Sequence, residues 1–187
     1  MQMQLSTLAI ILGLFVAVIN LFGVLKPSEF GKALRNFPRA TGIGYVLMLF
    51  GTAWFVWNLK LESISDFEKF KPLLYSLFIA VGVGTCIFVK DFIAVRGVAI
   101  VFLLLAKMMV DAGRPRLGDT PWVLVIQIWA YILVVAGIWF TISPWRMRDL
   151  LTWGTANENR IRIGSGLRMA FGLFVAILGF TVFRQPL

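Results

Sequence analysis

The fold of this chain is decided first by the uncharged stretch from Thr7 to Leu25, TLAIILGLFVAVINLFGVL, which ends at Lys26 and Pro27. About 20 mostly apolar residues are needed to cross the hydrocarbon core of a bilayer, and this stretch meets that length. No Lys or Arg precedes it, and no small-residue cleavage site follows it. We therefore predict a retained membrane helix rather than a secretory signal.

The composition shows that the rest of the chain is of the same kind. Hydrophobic residues make up 59% of the 187 and charged residues only 14%, whereas about a quarter of a soluble domain is charged. The apolar excess must face lipid, so we predict an all-α, polytopic transmembrane bundle that forms one integral membrane domain over residues 1–187. The six predicted spans are Thr7–Leu25, Ala40–Leu59, Pro72–Val89, Phe92–Val110, Trp122–Ile142 and Ile163–Phe183. Because only Lys90 and Asp91 separate the third span from the fourth, a re-entrant hairpin is an open alternative there.

The distribution of cations predicts the orientation. The chain has 18 Lys and Arg against 9 Asp and Glu, a formal charge of +9. One side of the bundle would carry Lys26, Lys32, Arg35, Arg39, Lys90, Arg96, Arg146, Arg148, Arg160, Arg162 and Arg168. The other side would carry Lys60, Lys69, Lys71, Lys107, Arg114, Arg116 and Arg184. Since cytoplasmic loops are enriched in Lys and Arg, the first side should be cytoplasmic and both termini outside. We expect a multi-pass protein of a bacterial cytoplasmic (inner) membrane.

Two short basic segments follow Pro27 and Pro144 and have apolar faces. They predict two interfacial helices whose aromatic residues lie at headgroup depth and whose cations meet anionic lipid. The predicted headgroup contacts are Lys32, Arg35, Arg39, Arg146, Arg148, Arg160 and Arg162.

Small residues at four-residue spacing predict where helices pack closely in lipid. Gly13 and Ala17 have this spacing in the first span, and Gly172 and Ala176 have it in the last. The pentapeptide Gly-Leu-Phe-Val-Ala occurs at both places. In a chain so rich in these five residue types the match can arise by chance, so we give it no weight as a sign of an inverted repeat.

Charged residues within the spans are the candidate functional residues, since a charge at the centre of a membrane helix costs at least about 2.5–3.5 kcal/mol. One candidate ion or headgroup site consists of Asp91, Arg96 and Arg168. A second charged cluster consists of Lys107, Asp111 and Arg114. The alternative interpretation is that these side chains anchor helix ends by reaching the headgroups, or pair with one another for structural reasons.

The sequence offers little for catalysis. It has no histidine and a single cysteine, Cys86. The commonest general base, haem ligand and zinc ligand are thus missing, and no internal disulfide can form. We expect no cofactor and no metal site.

The favoured hypothesis is a non-catalytic membrane protein, either an accessory or scaffolding subunit or a bundle that assembles with itself. The alternative is a small transporter or channel that uses the charged ends of the fourth and sixth spans. A third hypothesis is an enzyme that modifies phospholipid headgroups, with Asp149, Glu158 or Asp91 as base, but these acids are not clustered to hold a metal. Nucleic acid is not an expected partner, because the cations lie in short loops beside the spans.

Overall fold

The structure, a computed structural model, describes residues 3–62 and 65–184. Within these ranges it is 86% helical, with eight α-helices and no strand. The helices are α1 (Leu5–Leu25), α2 (Pro27–Asn36), α3 (Thr41–Leu61), α4 (Lys71–Phe88), α5 (Ile93–Gly113), α6 (Val123–Ile142), α7 (Trp145–Gly154) and α8 (Glu158–Phe180). Six of them are long and apolar enough to cross a membrane, which confirms the predicted fold class and is compatible with a multi-pass membrane protein. The compartment and the orientation of the termini stay predictions.

The helix ends differ from the predicted spans where capping decides the boundary. Helix α8 begins at Glu158 rather than at Ile163 because Asn157 caps it, its side-chain oxygen accepting a hydrogen bond from the backbone N–H of Arg160 at 2.9 Å. Such a cap satisfies one of the free N–H groups at a helix start. A polar first turn is therefore helical although it lacks the apolar pattern of a span. Helix α5 also extends beyond its predicted span, through Asp111 to Gly113.

The two predicted interfacial helices are present as α2 and α7, each ten residues long. Pro27 is the first residue of α2, and Pro144 directly precedes α7. Proline suits these places because it has no N–H to lose at the start of a helix and it ends the helix before it.

The chain folds into two compact units. Unit 1 comprises Met1–Arg35, Leu105–Val134 and Arg148–Leu187, and unit 2 comprises Asn36–Leu104 and Val135–Met147. A single domain over residues 1–187 stays a prediction.

Unit 1 is built around the antiparallel crossing of α1 and α8. A Cβ atom added at Gly13 would lie 2.5 Å from the carbonyl oxygen of Gly172 and 2.6 Å from the backbone nitrogen of Ala176. A Cβ atom added at Gly172 would lie 2.6 Å from the carbonyl oxygen of Gly13 and 2.9 Å from the backbone nitrogen of Ala17. The two backbones are thus in direct contact at the predicted small residues, as expected for packing in lipid.

Helix α8 also packs against the first half of α6 in unit 1. Trp129 lies edge-to-face on Phe171 with ring centroids 5.2 Å apart, and Trp122 lies in the same manner on Phe174 at 5.9 Å. Edge-to-face pairs of this kind are favourable beyond the area that they bury.

Unit 2 has its core where α3 and the second half of α6 pack on the first half of α5. Val95, Ala99 and Phe140 form the buried centre. Helix α4 is attached to α3 by Gly82, which lies against the side chain of Thr52, and by the rings of Phe55 and Phe78, 4.6 Å apart.

Candidate functional site

An open cleft of about 450 Å³ lies in unit 1 between α2, the end of α7 and the start of α8. We call it the α2–α8 cleft; it is lined by Ser28, Arg35, Thr152, Thr155, Ala156, Asn157, Glu158 and Ile161. Its residues come from segments far apart in the sequence, which meet because α2 folds back onto the turn between α7 and α8. Gly31 allows this approach, since a Cβ atom there would lie 2.7 Å from the Cδ1 of Ile161.

A hydrogen bond to a backbone carbonyl group holds the side chain of Arg35 at the cleft. Its Nη1 donates a hydrogen bond to the carbonyl oxygen of Thr155 at 3.0 Å. Thr155 is itself held, being only 6% exposed, with its hydroxyl donating to the carbonyl oxygen of Leu151 at 2.7 Å. A guanidinium group has five N–H donors, so most of those of Arg35 remain for another acceptor.

Glu158 supplies the negative charge of the cleft. It lies in the first turn of α8, where a carboxylate is stabilised by the helix dipole. Among the described residues it has no ion pair and no side-chain hydrogen bond. Arg35 and Glu158 are the charged residues among the described cleft residues, so the cleft is close to electrically neutral.

The other predicted headgroup residues are exposed and lie around the same helices. Lys32 lies on α2, Arg39 lies in the turn before α3, Arg146 and Arg148 lie on α7, and Arg160 and Arg162 lie in the first turns of α8. Two of them have local partners. Arg148 pairs with Asp149 at 2.9 Å, and the guanidinium of Arg160 lies 5.3 Å from the ring centre of Trp153. Contact of these cations with headgroups stays a prediction.

The candidate site of Asp91, Arg96 and Arg168 is divided between the units. Asp91 is exposed in the turn before α5, and Arg96 lies in the first turn of that helix, both in unit 2. They form no ion pair with each other, and no described residue bonds to either side chain. The Nε of Arg96 is buried without a hydrogen-bond partner among the described residues. Between them Phe92 has a φ of 54°, a backbone conformation that a bulky residue rarely adopts.

Arg168 belongs to unit 1 and lies exposed on α8. Its Nη2 is 3.8 Å from the place that a Cβ atom of Gly164 would occupy. The side chain therefore turns back toward the start of α8, the direction in which a membrane arginine reaches the headgroups. This geometry favours the anchoring interpretation, while convergence of Arg168 with Asp91 and Arg96 stays a prediction.

Of the second charged cluster, the structure brings two residues together. The Nζ of Lys107 lies 2.6 Å from the Oδ2 of Asp111 one turn further along α5, and both side chains are more than a third exposed. Arg114 lies in the following 3-10 turn, and no described residue bonds to its side chain. The pair has the form of a solvated helical ion pair.

Helix α4 has a free face that sequence reasoning did not identify. Only 6% of its membrane-crossing stretch is buried within the chain, against 44% for α5. Ser76, Ala80 and Gly84 recur at four-residue spacing on the side of α4 that faces away from the Gly82 contact with α3, and nothing lies within 4 Å of a Cβ atom added at Gly84. We call these three residues the α4 stripe. Their spacing is visible in the sequence, but only the structure shows which face of α4 is left uncovered.

The side of α4 that faces α3 packs closely at Gly82 and borders an open crevice. An apolar crevice of about 160 Å³ remains there, lined by Met48, Thr52, Phe55, Phe78, Val81, Gly82 and Ile100. Beyond this contact, little of the membrane-crossing stretch of α4 is buried within the described part of the chain.

Among the described residues no group of three His, Cys, Asp or Glu side chains lies together as a metal site would require. The chain matches no model of a known protein family, no curated protein and no solved structure. Its function has to be argued from its own residues.

Proposed function

We propose that this protein is a non-catalytic integral membrane protein that assembles with a second copy of itself through α4. The observation that carries the proposal is the scant burial of α4, 6% of its membrane-crossing stretch. This helix presents the α4 stripe of Ser76, Ala80 and Gly84 on its uncovered side.

The physics of membranes explains why such a face favours another helix. Lipid tails are as apolar as leucine, so helices associate by close packing rather than by the hydrophobic effect. Small residues at four-residue spacing let two backbones approach closely, as Gly13 and Gly172 do within this chain. A helix with so little of its surface buried within the chain gains most from a second neighbour of this kind.

A second copy suits the stripe because of symmetry. In a two-fold dimer whose axis runs along the membrane normal, α4 meets α4 in parallel, and the same surface is used on both sides. Each small residue then faces its own counterpart, so one stripe supplies both halves of the contact. Leu73, Leu77 and Ile87 are exposed beside the stripe and would pack around the crossing.

Cysteine cross-linking in native membranes tests the proposal. In a chain whose Cys86 is replaced by alanine, one variant carries Ala80→Cys on the stripe and its matched control carries Ile79→Cys. Ile79 lies at the same depth but off the stripe, and it is 47% exposed. A disulfide needs Cα atoms about 4.4–6.8 Å apart, which a close parallel crossing provides for residue 80 only.

We expect oxidation to give a species of twice 21.0 kDa for Ala80→Cys and not for Ile79→Cys, and we expect Gly84→Leu in the Ala80→Cys chain to abolish it. Equal cross-linking of the two cysteine variants would refute the stripe as a contact. A photo-cross-linker at position 80 that joins a different protein, with no homodimer, would refute self-assembly and would favour an accessory subunit of another complex.

A further inference from the structure

The α2–α8 cleft offers two opposite charges to a ligand. Arg35 is held over it by the carbonyl oxygen of Thr155, 3.0 Å away, and Glu158 carries a carboxylate that no described residue pairs with. The cleft volume of about 450 Å³ falls in the range usual for small-molecule sites, about 300–1,000 Å³. A ligand that satisfies both groups must carry an anionic and a cationic end.

The neutral groups of the cleft indicate what the anionic end is. Ser28 and Thr152 contribute hydroxyl groups. The side-chain oxygen of Asn157 is already used by the N–H of Arg160, which leaves its amide nitrogen to donate. Several donors beside a guanidinium suit the oxygens of a phosphate, which Arg binds through two parallel hydrogen bonds.

Glu158 determines the other end of the ligand. A carboxylate accepts hydrogen bonds only, so it suits a primary ammonium group with three N–H donors. It also repels a ligand that brings only negative charge. Neither of two nearby cations pairs with Glu158 in the structure, because Arg148 is paired with Asp149 and Arg160 lies against Trp153.

We propose that the α2–α8 cleft is a binding site for a phosphoethanolamine group, with the phosphate on Arg35 and the ammonium on Glu158. The sequence alone predicts only general contact of basic residues with anionic lipid, and Glu158 changes that preference. The group can belong to a phosphatidylethanolamine headgroup or to a soluble phosphoethanolamine ester, which present the same chemistry. The proposal does not depend on self-assembly through α4.

Binding to the purified full chain tests this site. Native mass spectrometry in mild detergent counts bound molecules as short-chain phosphatidylethanolamine, phosphatidylcholine or phosphatidylglycerol is added. Soluble glycerophosphoethanolamine forms a fourth arm. We expect phosphatidylethanolamine to bind about tenfold more tightly than the other two lipids. Phosphatidylcholine carries a methylated nitrogen that cannot donate to Glu158, and phosphatidylglycerol has no ammonium at all.

Two substitutions distinguish this site from general lipid adhesion. Glu158→Gln should remove the preference for phosphatidylethanolamine over phosphatidylglycerol, while the protein still binds lipid. Arg35→Gln should weaken the binding of phosphatidylethanolamine about tenfold or more. Lys69→Gln, an exposed change that lies outside the cleft and outside the predicted headgroup contacts, is the control and should change neither. Since Glu158 is exposed and its glutamine variant keeps the helix cap at Asn157, that variant tests the site even if Arg35→Gln fails to fold.

An unchanged lipid preference in Glu158→Gln, or phosphatidylglycerol binding as tightly as phosphatidylethanolamine to the unmodified protein, would overturn the proposal. Binding of glycerophosphoethanolamine as tight as that of the lipid, lost in both cleft variants, would support the site and assign it a soluble ligand.

Discussion

The crossing of α1 and α8 leaves no room for a methyl group at Gly172. A Cβ atom there would lie 2.6 Å from the carbonyl oxygen of Gly13 and 2.9 Å from the backbone nitrogen of Ala17. Both are backbone atoms, so no side chain can rotate out of the way. Gly172→Ala must therefore push the two helices apart.

The size of the effect follows from these distances. Cβ atoms are essentially never found closer than 3.0 Å to another heavy atom, so the helices must separate by about 0.4 Å at this point. A radial gap of about 0.5 Å already forfeits about a quarter of the van der Waals attraction, and packing of this kind is what holds helices together in lipid. Overpacking of a tight contact typically lowers the free energy of unfolding by about 1–3 kcal/mol.

Helix propensity acts in the opposite direction and has to be removed from the comparison. Alanine stabilises a helix by about 0.8–1 kcal/mol relative to glycine. Gly166→Ala is the matched control, because Gly166 lies in the same helix with nothing within 4 Å of an added Cβ atom. The difference between the two variants isolates the crossing.

Denaturant unfolding in mild detergent, followed by tryptophan emission, measures that difference. Of the seven tryptophans, Trp129 packs on Phe171 and Trp122 on Phe174 of α8, so the combined emission includes a change when that helix separates. We expect Gly172→Ala to unfold more easily than Gly166→Ala by about 1–3 kcal/mol. The double variant with Gly13→Ala should lose less than the sum of the two single changes, since the first separation also makes room for the second methyl group. If Gly172→Ala were as stable as Gly166→Ala, the close crossing would be wrong.

Three further substitutions test individual side chains by the same unfolding measurement. Arg96→Met should raise the free energy of unfolding by on the order of 1 kcal/mol, because the buried Nε of Arg96 has no partner among the described residues; a fall would contradict a cost of burying that nitrogen. Asn157→Ala should lower it by about 1 kcal/mol while Asn157→Ser should not, because serine also caps a helix; equal effects would contradict the cap. Lys107→Ala and Asp111→Ala should each lower it by less than about 1 kcal/mol, because their ion pair is exposed; a larger loss would assign the pair a role beyond the surface.

The helical framework could be predicted from the sequence because its causes are local. The apolar length of each span and the prolines at 27 and 144 act on the residues beside them, and the structure has a helix at each predicted place. Helix α8 begins before the predicted span for an equally local reason. The pattern of apolar residues does not reveal the Asn157 cap, and this cap makes the polar turn before Ile163 helical.

The α2–α8 cleft could not be predicted, because its parts are far apart in the sequence. Arg35 and Thr155, whose hydrogen bond shapes the cleft, are separated by 120 positions. The sequence identifies Arg35 as one of many basic residues near a membrane surface, and it identifies Glu158 as an isolated acid. Their common cleft depends on the packing of α2 against Ile161, which no local pattern encodes.

The repeated Gly-Leu-Phe-Val-Ala segment shows which part of a sequence match has physical meaning. The structure places the two copies against each other, with Gly13 at the backbone of Gly172 and Ala176. The residues between the glycine and the alanine are largely exposed. In the first copy Leu14 is 42% and Phe15 is 60% exposed, and in the second copy Leu173 is 44% exposed. An antiparallel crossing demands small residues four apart on both helices, so it requires glycine and alanine but not the leucine and phenylalanine between them. The informative signal is the spacing, and the full pentapeptide is no evidence of an inverted repeat.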